Sequence, residues 1–147
     1  MSNGFIYLAA PYSAGGADDA LMLKRFWQIT AQAAILEEDG FIVYSPITSG
    51  RPLEACGLDF DHDQWLERDK TFVEKALSLY VMCLPGWGES EGVKREVAWA
   101  LEREKAVFHF EPDYEKIQER LEAADPLKLL VTDPFIPFAE QRQVLQA

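Results

Sequence analysis

The chain alternates four short apolar runs with stretches whose apolar residues recur at helical spacing, and this alternation constrains the fold more than any other feature. The apolar runs occupy residues 5–9, 41–44, 79–84 and 106–110. Helical spacing covers residues 18–39, 63–78 and 91–104, and a more polar stretch continues it through Tyr114, Ile117 and Leu121. Strands that alternate with helices form a parallel sheet with right-handed crossovers. We therefore predict an α/β, flavodoxin-like three-layer αβα fold with strand order 2-1-3-4, to which a fifth strand could be added.

In such a sheet, every loop that follows a strand lies along one edge. Residues 10–16, 45–59 and 85–90 are these loops, so they are predicted to converge on one cleft between the first and third strands. The middle loop holds two prolines and two glycines and is longer than an ordinary connection, which is typical of functional loops.

The composition predicts one compact domain with an additional C-terminal segment. Of the 147 residues, 48% are hydrophobic, which is enough for one buried core. We assign residues 1–124 to this domain. Residues 125–147 are apolar but interrupted by Pro126, Pro134 and Pro137, so we expect an arm that packs on its own domain or on a neighbouring subunit.

The charge and the apolar runs disfavour two classes of partner. A net charge of −11 disfavours binding to a nucleic-acid polymer, which requires clustered Lys and Arg. No apolar run approaches the ~18 residues of a membrane span. Cys56 and Cys83 lack a partner motif and fit reduced thiols, so we expect a cytoplasmic protein. His62 has no second His or Cys at ligand spacing, and neither a metal nor a cofactor is expected.

Residues 85–100 carry the strongest indication of function. An apolar strand ends in a glycine-rich turn with Ser90 and Gly92. The free N–H groups at the start of the following helix can bind an anion there. Glu96 lies four residues after Gly92, at the edge of the apolar face. Asp69 lies on the apolar stripe of the preceding helix, where a carboxylate is costly unless it is paired. The alternatives are a simple N-cap for Ser90, a solvated Glu96 and a salt-bridged Asp69.

Aromatic residues beside the predicted cleft are candidates for contacts with a ligand. Tyr7, in the first strand, could donate a hydrogen bond to a carboxylate, although a core tyrosine is equally consistent with the sequence. Tyr12, Trp65 and Trp87 offer flat faces for stacking a base or a sugar, and for each of them ordinary packing is the alternative.

The chain resembles the nucleoside 2-deoxyribosyltransferase superfamily, including a small bacterial branch of it, and is similar also to nucleoside 5′-monophosphate N-glycosidases. The matching segments are IYLAAPY at residues 6–12, YSP at 44–46, WLERD at 65–69 and GWGESEGVKREVAWA at 86–100. They follow the family's order and span residues 5–110. The first loop departs from the nucleotide hydrolases, because it lacks the arginine that follows their glycines.

The resemblance implies cleavage or transfer of the N-glycosidic bond of a (deoxy)nucleoside or nucleoside 5′-monophosphate. It implies that Glu96 is the nucleophile, that Asp69 handles the proton on the base or acceptor, and that Tyr7 orients Glu96. It further implies a homo-oligomer, and Ser90 favours a phosphorylated ligand. The alternative is a non-catalytic nucleotide-binding or sensing domain. The substrate site implied by the matching segments comprises Ser90, Gly92, Ala10, Pro11, Tyr12, Ser45, Trp65 and Trp87.

Overall fold

A computed structural model describes residues 4–124, which form a four-stranded, entirely parallel sheet with five α-helices. The strands are β1 (Ile6–Ala9), β2 (Val43–Tyr44), β3 (Ser78–Met82) and β4 (Ala106–Phe110). The helices are α1 (Asp19–Glu38), α2 (Pro46–Ala55), α3 (His62–Lys75), α4 (Glu91–Glu102) and α5 (Tyr114–Glu122). The strand order is β2-β1-β3-β4, so the predicted fold class and order are confirmed.

The buried central strand β1 separates two apolar cores, because alternate side chains of a strand point to opposite faces. Tyr7 and Ala9 pack with Val73 of α3 and with Val93 of α4. Leu8 packs on the other face, among residues of α1 and α5 that include Ile29, Ile35 and Ile117. Helices on both faces of the sheet give the three-layer αβα arrangement.

Most of the predicted middle loop is helical, so the prediction of an irregular loop over residues 45–59 was wrong. Ser45 caps α2 by accepting a hydrogen bond from the N–H of Thr48 at 3.1 Å. Pro46 occupies the start of the helix, where a missing N–H and a fixed φ are favourable. Gly50 lies beside the Trp65 ring, where an added Cβ would make an ordinary van der Waals contact at 3.5 Å. Pro46 thus begins α2 and Gly50 lies where α2 contacts Trp65, although both residue types usually interrupt helices.

Three strands are bounded differently from the prediction, β1 by a single residue. β2 is restricted to Val43–Tyr44 and β3 covers Ser78–Met82, although Leu84 beyond its end is still fully buried. The expected C-terminal arm over residues 125–147 lies outside the described residues, as does any fifth strand within it. Within residues 4–124, none of the helices combines the length and the apolar character needed to cross a membrane.

Candidate active site

A cavity of about 580 Å³ opens at the edge of the sheet where the strands end. Its walls come from the loop after β1, from α2 and the first turns of α3, and from the turn that precedes α4. This is the convergence expected of a parallel sheet. Seven of the residues expected from the sequence line it, namely Ala10, Tyr12, Trp65, Asp69, Ser90, Gly92 and Glu96.

Glu96 presents a carboxyl group that is almost entirely removed from water but still faces the cavity. It projects from the second turn of α4 and is only 7% exposed. The Tyr7 hydroxyl, which is fully buried beneath the cavity, donates a short hydrogen bond to Oε2 of Glu96. Burial raises the pKa of Glu96 to about 8, against the opposing effect of the Tyr7 hydrogen bond. A carboxyl with this pKa titrates within the physiological pH range.

Asp69 supplies a second carboxyl to the cavity lining, from α3. Its Oδ1 atom is buried and has no hydrogen-bond partner among residues 4–124. Burial raises the pKa of Asp69 to about 6, while the positive charge of Arg68 opposes this shift. The negative charge of Asp69 in turn raises the pKa of Glu96, in addition to the effect of burial. The charge of one carboxyl group therefore affects the ionisation of the other.

Arg68 lies behind Asp69 and is held by aromatic rings. Its guanidinium carbon lies 5.4 Å from the centroid of the Phe72 ring and 5.8 Å from the centroids of the Tyr44 and Trp65 rings. Cations at these distances are attracted to the faces of the rings. The aromatic rings thus hold the positive charge of Arg68 near Asp69. Arg68 itself does not line the cavity, whereas Asp69 does.

The turn before α4 forms the rim next to Glu96. Ser90 accepts a hydrogen bond from the N–H of Val93 at 3.3 Å, so the sequence alternative of an N-cap is realised. Ser90 nevertheless lines the cavity together with Gly92. The N–H groups of Glu91 and Gly92 donate no hydrogen bond within the described part of the chain. A ligand oxygen could therefore bind at this helix N-terminus.

Three expected binding residues lie outside the cavity lining. The Trp87 ring packs against His109, with 5.2 Å between the ring centroids. Pro11 is buried in the first loop, and buried Ser45 caps α2. Trp99 of α4 takes part in the lining instead, although no sequence pattern singles it out.

Sequence reasoning also missed three arginines. Arg51 and Arg95 line the cavity, and Arg51 donates a 2.6 Å hydrogen bond to the Tyr12 hydroxyl. Arg25 of α1 lies behind the cavity and donates to backbone carbonyls of the first and third loops. A signal for Arg25 was present, since it lies three residues after Met22 and four before Ile29, on the apolar stripe of its helix.

No group of three or more His, Cys, Asp or Glu side chains suited to a metal ion occurs among residues 4–124. The sequence-based expectation of chemistry without a metal or cofactor stays a prediction.

These features define the class of the protein: a flavodoxin-like α/β domain with two coupled carboxyl groups in a cavity at the carboxyl edge of its sheet. The chain belongs to the family described as Domain of unknown function (DUF1937), whose model matches residues 4–112. The matched region includes all four strands and the residues that line the cavity. A search of curated proteins finds no match to the sequence.

Proposed function

We propose that this protein cleaves or transfers the N-glycosidic bond of a (deoxy)nucleoside or nucleoside 5′-monophosphate. The observation that supports this most directly is the buried Glu96 carboxyl, which faces the cavity, accepts a hydrogen bond from Tyr7 and is coupled to Asp69. The resemblance of the motif from Ser90 to Ala100 to deoxyribosyltransferases agrees with this arrangement.

The reaction proceeds in two displacements at the anomeric carbon of the sugar. The ionised Glu96 attacks this carbon, the bond to the base nitrogen breaks, and its electron pair leaves with the base. Asp69 in its protonated form gives a proton to the departing base. Water or a second base then attacks the same carbon, Asp69 takes up the released proton, and the Glu96 carboxylate is regenerated.

The cavity suits a ligand of nucleoside size. A volume of about 580 Å³ lies within the usual range of small-molecule sites. Trp65 and Trp99 offer apolar surfaces for the base, and the N-terminus of α4 can hold the 5′ end of the sugar.

The test measures by chromatography the release of base from deoxynucleosides, ribonucleosides and their 5′-monophosphates. We expect Glu96→Gln to lower the rate roughly a thousandfold or more. Glu102→Gln is the matched control, because Glu102 lies exposed at the end of the same helix. Wild-type activity in the Glu96 variant, or no base release from any of these substrates, would contradict the proposal.

A second candidate function is a non-catalytic nucleotide-binding or sensing domain. The protonated Glu96 that burial favours at neutral pH supports it, because a neutral carboxylic acid is a poor nucleophile. Saturable nucleotide binding in calorimetry without turnover would distinguish this function from catalysis.

The proposal includes assembly into a homo-oligomer and a cytoplasmic location. Two large apolar side chains on and next to the edge strand support assembly, since Leu101 is 60% exposed and Phe108 is 49% exposed. Light scattering of the full chain should give a mass above that of one chain, and a monomeric mass would contradict assembly.

A further inference from the structure

Arg25 joins two loops that border the cavity. Its Nη1 atom donates to the carbonyls of Tyr12 at 2.7 Å and Ala14 at 3.0 Å, and its Nη2 atom donates to the carbonyl of Pro85 at 3.2 Å. The side chain is 7% exposed and forms no ion pair with a carboxylate of residues 4–124. A buried positive charge is thus balanced by backbone carbonyl dipoles.

The direction of these carbonyls determines the direction of the adjacent N–H groups. In a planar trans peptide, the N–H of the next residue points away from the carbonyl oxygen. The N–H groups of Ser13, Gly15 and Gly86 are therefore directed away from the Arg25 guanidinium. None of the three donates a hydrogen bond to another described residue. Ser13 and Gly15 line the cavity, whereas Arg25 does not.

The backbone of the first loop is shaped for a close approach. Gly15 and Gly16 have φ angles of 74° and 66°, a conformation that favours glycine. A Cβ at either position would meet no atom within 4 Å, so the surface beside these glycines is open. N–H groups that converge in such turns form concave sites that bind anionic or hydrogen-bond-accepting oxygens, and a cation behind the aligned peptide dipoles strengthens their field.

We propose that the N–H groups of Ser13 and Gly15 form a second anchoring subsite, which binds a hydrogen-bond-accepting oxygen of the ligand, and that Arg25 is its positioning residue. The subsite lies on the β1–α1 loop and is distinct from the N-terminus of α4. The inference rests on the proposed function, because it assigns a further contact to the same ligand. The oxygen belongs to a phosphate group or to a carbonyl of the base.

The test compares four ligands, which are 2′-deoxyadenosine, 2′-deoxyuridine and their 5′-monophosphates. Adenine has no carbonyl oxygen, and the nucleosides have no phosphate, so the set separates the two sources. Arg25→Gln should raise KM about tenfold or more for ligands that carry the recognised oxygen, which corresponds to the loss of one or two hydrogen bonds. It should leave KM for the others within about twofold and kcat within about threefold.

A rise for both deoxyuridine compounds assigns a base carbonyl, and a rise for both monophosphates assigns a phosphate. Lys24→Ala is the matched control, since it removes an exposed positive charge from the neighbouring position of α1. Arg25→Lys keeps the charge but cannot contact all three carbonyls, and it should raise the same KM values by a smaller factor. If thermal unfolding shows that Arg25→Gln does not fold, Arg25→Lys is the variant compared with the wild type.

An equal change in KM for all four ligands, or a change in kcat alone, would mean that Arg25 only stabilises the fold and would overturn the inference. If the wild-type protein releases no base, the proposed function fails separately. The same four ligands in calorimetry then decide the inference, with selective weakening of Kd supporting it and uniform weakening, or no binding, overturning it.

Discussion

The Tyr7 hydroxyl in the central strand donates a hydrogen bond to Oε2 of Glu96, although the two residues are 89 positions apart in the chain. The bond connects the buried central strand to a residue of the cavity lining. It also opposes the effect of burial on Glu96, because a hydrogen bond to a carboxylate favours the ionised form. The charge state of Glu96 is thus set by four influences: burial and Asp69 raise its pKa, whereas Tyr7 and the positive charge of Arg95 lower it.

Tyr7→Phe should shift the ionisation of Glu96 to higher pH, because it removes the group that favours the carboxylate. We expect kcat to fall about 10- to 100-fold, the effect of losing one hydrogen bond to a charged group. The apparent pKa of the alkaline limb of the pH–rate profile, which reports the higher of the two carboxyl pKa values, should rise in the same variant. Tyr80→Phe serves as a control, because Tyr80 lies on β3 outside the cavity lining. An unchanged profile in Tyr7→Phe would contradict this role.

Glu96→Gln should change how the stability of the protein depends on pH. The pKa of Glu96 in the folded protein is about 8, raised by burial from an ordinary 4.5, so the folded state binds this proton more tightly than the unfolded chain does. Its contribution to stability is complete below about pH 4.5 and is lost as the pH rises through about 8.

Urea denaturation at several pH values measures this effect. In the wild type, the free energy of unfolding should fall across this range by on the order of 3 kcal/mol more than in Glu96→Gln. Glu102→Gln should retain the wild-type slope. Parallel curves for wild type and Glu96→Gln would show that Glu96 has an ordinary pKa.

Asp69→Asn should turn a bell-shaped pH–rate profile into a single ascending curve. The active form needs an ionised Glu96 and a protonated Asp69, whose pKa values are about 8 and about 6, so kcat/KM of the wild type should peak near pH 7. Without Asp69 the alkaline decrease disappears, and the ascending midpoint moves up from about 6 toward the pKa of Glu96, which itself lies below 8 because a nearby negative charge is removed. The maximal rate should drop about 100-fold or more.

Asp63→Asn is the control for this experiment, since Asp63 is exposed in the first turn of the same helix. It should retain the bell shape and the rate. A bell-shaped profile that persists in Asp69→Asn would assign the proton transfer to another group.

Ser90→Ala should affect both stability and ligand binding. Ser90 caps α4, and loss of an N-cap costs about 1 kcal/mol in the free energy of unfolding. Asp113→Ala removes the equivalent cap of α5, where Asp113 accepts a hydrogen bond from the N–H of Lys116 at 3.1 Å, away from the cavity. Both variants should lose similar stability, measured by urea denaturation, but only Ser90→Ala should raise KM. Equal KM values would restrict Ser90 to its capping role.

Gly86→Ala should be more destabilising than Gly40→Ala. Both glycines have a positive φ, 93° and 101°, and alanine in this conformation costs about 1 to 2 kcal/mol. A Cβ at Gly86 would also lie 3.3 Å from Nη2 of Arg25, whereas one at Gly40 would meet nothing within 4 Å. The excess loss of unfolding free energy in Gly86→Ala therefore reports on the Arg25 contact. Equal losses would show that Arg25 adjusts without cost.

The fold was predictable because its determinants are local and repeated. Short apolar runs between helical stretches permit few arrangements other than a parallel sheet, and the observed order β2-β1-β3-β4 is the one expected. The helix over Pro46–Ala55 was missed because Gly50 and Pro52 lie inside it, and both residue types usually interrupt helices. Ser45 and Pro46 form a helix-start signal in the sequence, but whether a helix continues past Gly50 and Pro52 is decided by tertiary packing.

The sequence by itself determined the order of the strands, through the alternation of strands and helices. It also determined the choice of Asp69, Ser90 and Glu96 as candidate site residues, because periodicity and turn motifs show where a polar residue lies relative to an apolar face. Tertiary structure alone decided the environment of those residues. The hydrogen bond from Tyr7 to Glu96 joins residues 89 positions apart, and the one from Arg25 to the carbonyl of Pro85 joins residues 60 positions apart. The buried Oδ1 atom of Asp69, which has no hydrogen-bond partner among residues 4–124, is likewise a consequence of folding. Burial and distance set pKa values and hydrogen bonds, and both arise only when the chain is folded.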